Sequence, residues 1–329
     1  MCACGSDKAG TNADAGGDGG SSSITPPSVL APLDALAIRV DSNNVYVRTV
    51  DTSAQSTIWS VPKSGGSAVV LSSEQSLATA SLAIDAANVY YADQQYKLNS
   101  MDAVLAVPKS GGTGSATPLV LDPDAELIDA VGVDSSGLYF LSTDYGELRS
   151  TTTGSNAAML SSQRCDARQF VLDDTQLYCT DSIDDFSLVA IPKAGGSGTA
   201  LYSDSTMMLP VPTDLVTDGT ALYVATYTVD TSAKATCAVD RIDKTGSAQT
   251  IASVCASALA IDGDSLLMAT FDGSDVLQIS GAIESMPLAG GTPTVLTAAV
   301  QTDAIAADAG FVYFSADYGS GFQLYALPH

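Results

Sequence analysis

Residues 82–93 read LAIDAANVYYAD, and the order of these side chains decides the fold. Leu82, Ala83 and Ile84 make a short apolar run that stops at Asp85. Ala-Ala-Asn follows, and Val89-Tyr90-Tyr91 opens a second run rich in β-formers. Apolar β-formers broken by Asp and Asn describe two strands joined by a tight turn, because these residues hydrogen-bond their own turn. The figure occurs six more times, as LAIRVDSNNVYV (36–47), VGVDSSGLYFLS (131–142), FVLDDTQLYCTD (170–181), LVTDGTALYVAT (215–226), LAIDGDSLLMAT (259–270) and IAADAGFVYFSA (305–316). Its aspartates are Asp41, Asp85, Asp134, Asp173, Asp218, Asp262 and Asp308, at spacings of 44, 49, 39, 45, 44 and 46 residues.

A second figure follows each first one: IWSVPKSGGSAVVL (58–71), LAVPKSGGTGSATPLVL (105–121), LRSTTTGSNAAML (148–160), LVAIPKAGGSGTALY (188–202), VDRIDKTGSAQTI (239–251) and ESMPLAGGTPTVL (284–296). In each, a β run ends at a Pro-Lys or related pair, a Gly-containing turn reverses the chain, and a last run carries Val-Leu or a similar pair. Each unit thus holds four short strands, A to D, and its length is that of one four-stranded propeller blade. No stretch sustains a helical period. The seventh unit stops at LYALPH (324–329), before its D strand. Thr25-Pro26-Pro27-Ser28-Val29-Leu30 resembles Gly291-Thr292-Pro293-Thr294-Val295-Leu296 and supplies the missing piece. The expectation is an all-β, seven-bladed β-propeller over residues 25–329, closed by an N-terminal strand that completes the last blade and leaves no open edge.

Composition narrows the function. The chain has 329 residues, 13 basic and 37 acidic, for a net charge of −24. Binding to nucleic acid or to an anionic membrane surface is driven by Lys and Arg, so neither fits this chain. No apolar run approaches the roughly 20 residues of a membrane span. The one histidine is His329, which leaves no Ser-His-Asp or Cys-His arrangement and no multi-His metal site. No Gly-rich phosphate loop opens a helix. The chain is therefore expected to be no enzyme and to carry no cofactor. The short acidic runs at 181–185 and 272–275 lack the spacing and the terminal Glu of an EF-hand, so Ca²⁺ has only weak support.

Residues 1–24 are small, polar and rich in Gly, Ser and Asp, the composition of a flexible tether. Cysteine near the start of such a stretch resembles a mature bacterial lipoprotein, with Cys2 or Cys4 as the lipid acceptor. No signal-peptide pattern precedes either residue. Of the three pairings open to Cys165, Cys179, Cys237 and Cys255, sequence neighbours favour Cys165–Cys179 and Cys237–Cys255. A turn near 244–247 sets Cys237 almost opposite Cys255 on neighbouring antiparallel strands. Cys165 lies about five residues from the position facing Cys179, so that bridge requires the chain to bend back. Two disulfides would suit an oxidising, extracytoplasmic compartment.

One face of such a ring carries the A–B and C–D turns, which are regular from unit to unit. The seven aspartates there read as turn caps, and Lys63, Lys109 and Lys193 as solvated turn residues. Trp59 reads as blade packing. The B–C loops vary, as a site grafted onto a repeated scaffold should. They concentrate Asp93, Tyr96, Asp144, Tyr145, Asp184, Asp185, Asp272, Asp275, Asp317 and Tyr318, with Asp-Tyr-Gly occurring twice. Tyr offers a rigid amphipathic surface and Asp accepts hydrogen bonds, so these residues are the expected binding set.

The unit LAID…VYYAD followed by VPKSGG resembles the YWTD-type propeller repeat, and more closely the bacterial repeat lipoproteins with VPK-GG turns. Two departures stand out: Trp is absent from the motif in every unit, and seven units are counted where six are usual. The resemblance implies an extracytoplasmic binding module in the periplasm, at the outer membrane or on the cell surface, with a protein or glycan partner, and it carries over no catalytic residue. The alternatives are a structural subunit of a surface array and a carboxylate-dependent, Ca²⁺-assisted glycan-active enzyme.

Overall fold

The structure, a computed structural model, describes residues 26–75, 77–94, 102–111, 116–122, 128–142, 147–151, 158–165, 170–181, 186–204, 211–229, 235–273, 280–300, 302 and 304–329. Seven antiparallel sheets follow one another in a ring. Blade 1 comprises Ala37–Val40, Asn44–Val50, Gln55–Pro62 and Val69–Gln75. Blade 2 splits its A position between Leu77–Ala78 and Ala83–Ile84, then runs through Asn88–Gln94, Asp102–Pro108 and Thr117–Asp122. Blade 3 is Ile128–Asp134, Gly137–Ser142, Glu147–Thr151 and Ala158–Ser161; blade 4 is Phe170–Leu172, Gln176–Asp181, Phe186–Pro192 and Thr199–Asp204. Blade 5 is Val211–Thr217, Ala221–Val229, Ala235–Asp243 and Ala248–Ala252; blade 6 is Cys255–Asp262, Ser265–Phe271, Ser280–Pro287 and Thr294–Val300. Blade 7 takes Ile305–Asp308, Phe311–Asp317 and Phe322–Pro328 from the C-terminal end and its outer strand, Ser28–Ala31, from the N-terminal end. That strand pairs antiparallel with Phe322–Pro328, Ser28 facing Ala326, which is the expected closure.

Each inner strand is apolar on both faces because each blade is sandwiched between two others. Val45 and Val47 pack toward blade 7, while Tyr46 between them packs toward blade 2. In blade 4, Leu177 and Cys179 face blade 3 and Tyr178 faces blade 5. Among the described residues the core is accordingly seven clusters, one per junction between blades. Trp59 packs against the junction of blades 7 and 1 and donates its indole N–H to Thr49, 3.0 Å away.

Both expected disulfides form. Phe170 is the register partner of Cys179. The bridge to Cys165, five residues earlier, therefore folds the blade 3 to blade 4 connection back onto the second strand of blade 4. The setting of the other bridge differs from the expectation. The last strand of blade 5 ends at Ala252, and Cys255 already opens blade 6. Cys237–Cys255 thus joins two blades rather than two strands of one hairpin. No helix among the described residues is long and apolar enough to cross a membrane. The tether and its candidates Cys2 and Cys4 lie outside the described residues.

Candidate functional site

On the turn face the repeated Asp does three jobs at once. Asp85 accepts the backbone N–H of Ala87 (2.7 Å) and of Asn88 (2.6 Å) with one oxygen and the Tyr90 hydroxyl (2.7 Å) with the other. Asp41, Asp173 and Asp218 repeat this with Tyr46, Tyr178 and Tyr223. A cation from the next blade completes four of these sites: Lys109 on Asp41 (2.8 Å), Lys193 on Asp134, Lys244 on Asp173 and, across the closure, Lys63 on Asp308. Each ammonium also lies over a tyrosine ring: Lys109 over Tyr46, Lys193 over Tyr139, Lys244 over Tyr178 and Lys63 over Tyr313. These lysines are therefore not solvated turn residues. They reach sideways because a ring sets the C–D turn of one blade beside the A–B turn of the preceding one.

The same place is held by His329 in blade 7, whose Nε2 lies 3.1 Å from Asp262. In blade 6 it is held by Leu288, which packs at the junction with blade 5. The backbone N–H of each donates to its own A–B turn, as those of Lys63 and Lys109 do. Burial opposes ionisation of Asp41, but the Lys109 ammonium, the Asn43 and Asn44 amides and the Tyr46 hydroxyl outweigh it and hold the carboxyl well below its usual range. Burial and the Asp41 carboxylate push Tyr46 up to about 12. Aspartates engaged in this way are structural, as expected, and this face has little left to offer a ligand.

The opposite face carries the B–C loops. Asp317 caps its loop, accepting the N–H of Gly319 (2.6 Å) and Gly321 (3.0 Å). Tyr318 is 42% exposed, yet its hydroxyl is tied to the Ala298 carbonyl of blade 6 at 2.6 Å. Its ring stands edge-on to Tyr325, with centroids 5.1 Å apart. A half-exposed aromatic held from both ends is a rigid contact surface. Asp272 follows the second strand of blade 6 and is exposed. Tyr96, Asp144, Tyr145, Asp184, Asp185 and Asp275 lie outside the described residues.

Asp93 is a correction. It is wholly buried, because the second strand of blade 2 runs on to Gln94 and carries it inside. There it meets the charge of Arg48, a fully buried guanidinium that bonds Ser56 (3.0 Å) and the Ala92 carbonyl (2.6 Å) and covers the Tyr91 ring at 5.0 Å. Asp93 therefore belongs to the junction of blades 1 and 2 and not to a ligand-facing loop.

The seven A strands enclose a central cavity of about 190 Å³. Its polar side chains include Arg39, Ser81 and Asp214. Ser81 accepts the Val131 N–H at 2.7 Å, and Asp214 accepts those of Leu215 and Leu259, both at 2.6 Å, so two of the three tie neighbouring strands together. Arg39 was not among the expected site residues. Its signal in the sequence is a basic residue inside LAIRVD where other units read LAID.

No protein-family model and no curated protein matches the chain. Solved structures do. The chain is similar to YCF48 bound to D1 peptide, with 12% identity, a TM-score of 0.61 and 93% of this chain and 97% of that chain covered. It is also similar to the β-propeller domain of the Trilobed protease from Pyrococcus furiosus, with 9% identity, a TM-score of 0.59 and 91% and 95% covered. That domain is described as having an open velcro topology, whereas the ring here is closed by Ser28–Ala31. At such identities the likeness establishes the fold alone: a seven-bladed β-propeller.

Proposed function

We propose that the protein is an extracytoplasmic binding module, not an enzyme, whose B–C loop face takes up a basic segment of a protein partner. The observation that carries this reading is the division of charge between the two faces. On the turn face four of the seven repeated aspartates are paired with a lysine, whereas the B–C segments (51–57, 93–103, 142–147, 181–186, 227–236, 271–282 and 316–322) hold ten acidic residues besides the buried Asp93 and Asp102, against Lys97 and Lys234 alone. Such a field draws in cationic partners and disfavours anionic ones. The anchored ring of Tyr318 adds the aromatic contact that interface hot spots favour. A structurally similar propeller has been solved with a bound peptide. The two disulfides support an oxidising compartment, and Cys2 or Cys4 would provide lipid attachment in a lipoprotein of the VPK-GG type.

The test is calorimetric titration of the full chain with a panel of basic, neutral and acidic dodecapeptides at physiological salt. A saturable site for basic peptides, weakened about tenfold by Tyr318→Ala, is expected; that factor corresponds to about 1.4 kcal/mol. Tyr318 carries no charge, so unspecific attraction would be untouched by this change. Basic peptides that bind without saturation, or equally well to the variant, would overturn the reading.

A further inference from the structure

We propose that the central channel is a second binding site, which holds a small aliphatic monocarboxylate on the guanidinium of Arg39. Arg39 lines the channel and is exposed to water there. Its Nη1 donates to the Ile38 carbonyl at 2.8 Å, and no described carboxylate forms an ion pair with it. The charge of Asp214, which lines the same cavity, acts on it, and the two Asp214 oxygens each accept a strand amide as well. A guanidinium has five donors in a planar fork, and a carboxylate is the partner that matches two of them at once.

Charge and size narrow the ligand. Because Asp214 shares the channel, a second negative charge on the ligand would be repelled, which favours a monoanion over phosphate dianion or a dicarboxylate. Leu36, Phe170, Val171 and Val216, all partly exposed, contribute apolar wall, suited to a short hydrocarbon chain. A cavity of about 190 Å³ has room for about six waters at liquid density. It therefore admits an acid of a few carbons and not a folded segment.

The experiment is calorimetric titration of the full chain with valerate, succinate, inorganic phosphate and the tripeptide acetyl-trialanine as free acid. Valerate is expected to bind saturably and more tightly than succinate or phosphate, and Arg39→Gln to weaken it at least tenfold. Since Arg39→Gln alters a strand of the ring, a second variant is needed. Ala80 lines the same cavity and is exposed, so Ala80→Leu fills space without disturbing the packed core. It should also weaken valerate at least tenfold while the melting temperature stays within about 1 °C. Absence of saturable valerate binding, binding unchanged in both variants, or tighter binding of phosphate or succinate would overturn the proposal. So would binding of the tripeptide acid but not of valerate, since that would assign the carboxylate to a peptide terminus.

Discussion

Lys193→Met keeps the length of the side chain and removes its ammonium, which isolates what the ring of inter-blade clasps contributes. Lys193 is 8% exposed and its partner Asp134 24%, so the pair lies between the buried and the surface regime. A hydrogen bond to a charged group contributes about 1.5–3 kcal/mol. Loss of the contact over Tyr139 adds about 0.5–1 kcal/mol, and the ammonium's own desolvation, no longer incurred, offsets part of the sum. A net cost of about 2 kcal/mol follows. A domain of about 300 residues carries an unfolding entropy of about 0.6 kcal/mol/K, so the melting temperature should fall by about 3 °C. Calorimetry on the four single variants gives the internal control. Lys109 and Lys63, 10% and 14% exposed, should behave like Lys193. Lys244, 32% exposed, should cost less than about 1 kcal/mol. A shift below 1 °C for Lys193→Met, or an equal cost at Lys244, would refute the reasoning.

Other consequences are as direct. Leu30 packs into the junction of blades 7 and 1 while Val29 is 55% exposed, so Leu30→Asp should cost about 2–4 kcal/mol and Val29→Thr less than about 0.5 kcal/mol in urea unfolding; equal effects would deny the closing strand its role. The bridges span 14 and 18 residues, and loops of that size stabilise by about 3 kcal/mol each. Reduction should therefore lower the melting temperature by about 5 °C per bridge, and ready alkylation of the native cysteines would contradict both. Asp41, Asp85, Asp134, Asp173 and Asp218 are held below their ordinary range in the folded state. The unfolded chain then takes up protons first as pH falls, so this stability is complete above the unfolded value of about 3.9 and is lost below it. Melting temperatures should be flat from about pH 5.5 to 8 and drop below about pH 4; a decline that begins near pH 6 would point elsewhere.

The blade count, the strand pattern and the closing strand were legible because a propeller unit must bury both faces of its sheet at a fixed period. Even the bend at Cys165 was legible, since register alone places Phe170 opposite Cys179. What escaped was everything that depends on which turn stands beside which. Lys193 and Asp134 are 59 residues apart, and only the ring brings the turn of one blade to the aspartate of the blade before it. The position of His329 was nevertheless written in the chain, since LPH (327–329) stands where VPK (61–63) and IPK (191–193) stand in other units. Asp93 was misplaced because two more residues of strand, and a buried Arg48 in the neighbouring blade, carry it inside. Arg39 was overlooked as one basic residue in an apolar run.

The central claim is a division of labour: one face of the ring holds the blades together and the other binds. Peptide affinity and melting temperature measured on the same two variants, Tyr318→Ala and Lys193→Met, test it most directly. The account predicts that Tyr318→Ala loses about tenfold in affinity for a basic peptide and, because it also gives up the bond to Ala298 and the contact with Tyr325, melts about 3 °C lower, while Lys193→Met melts about 3 °C lower and binds as before. Affinity lost with Lys193→Met and retained with Tyr318→Ala would contradict it.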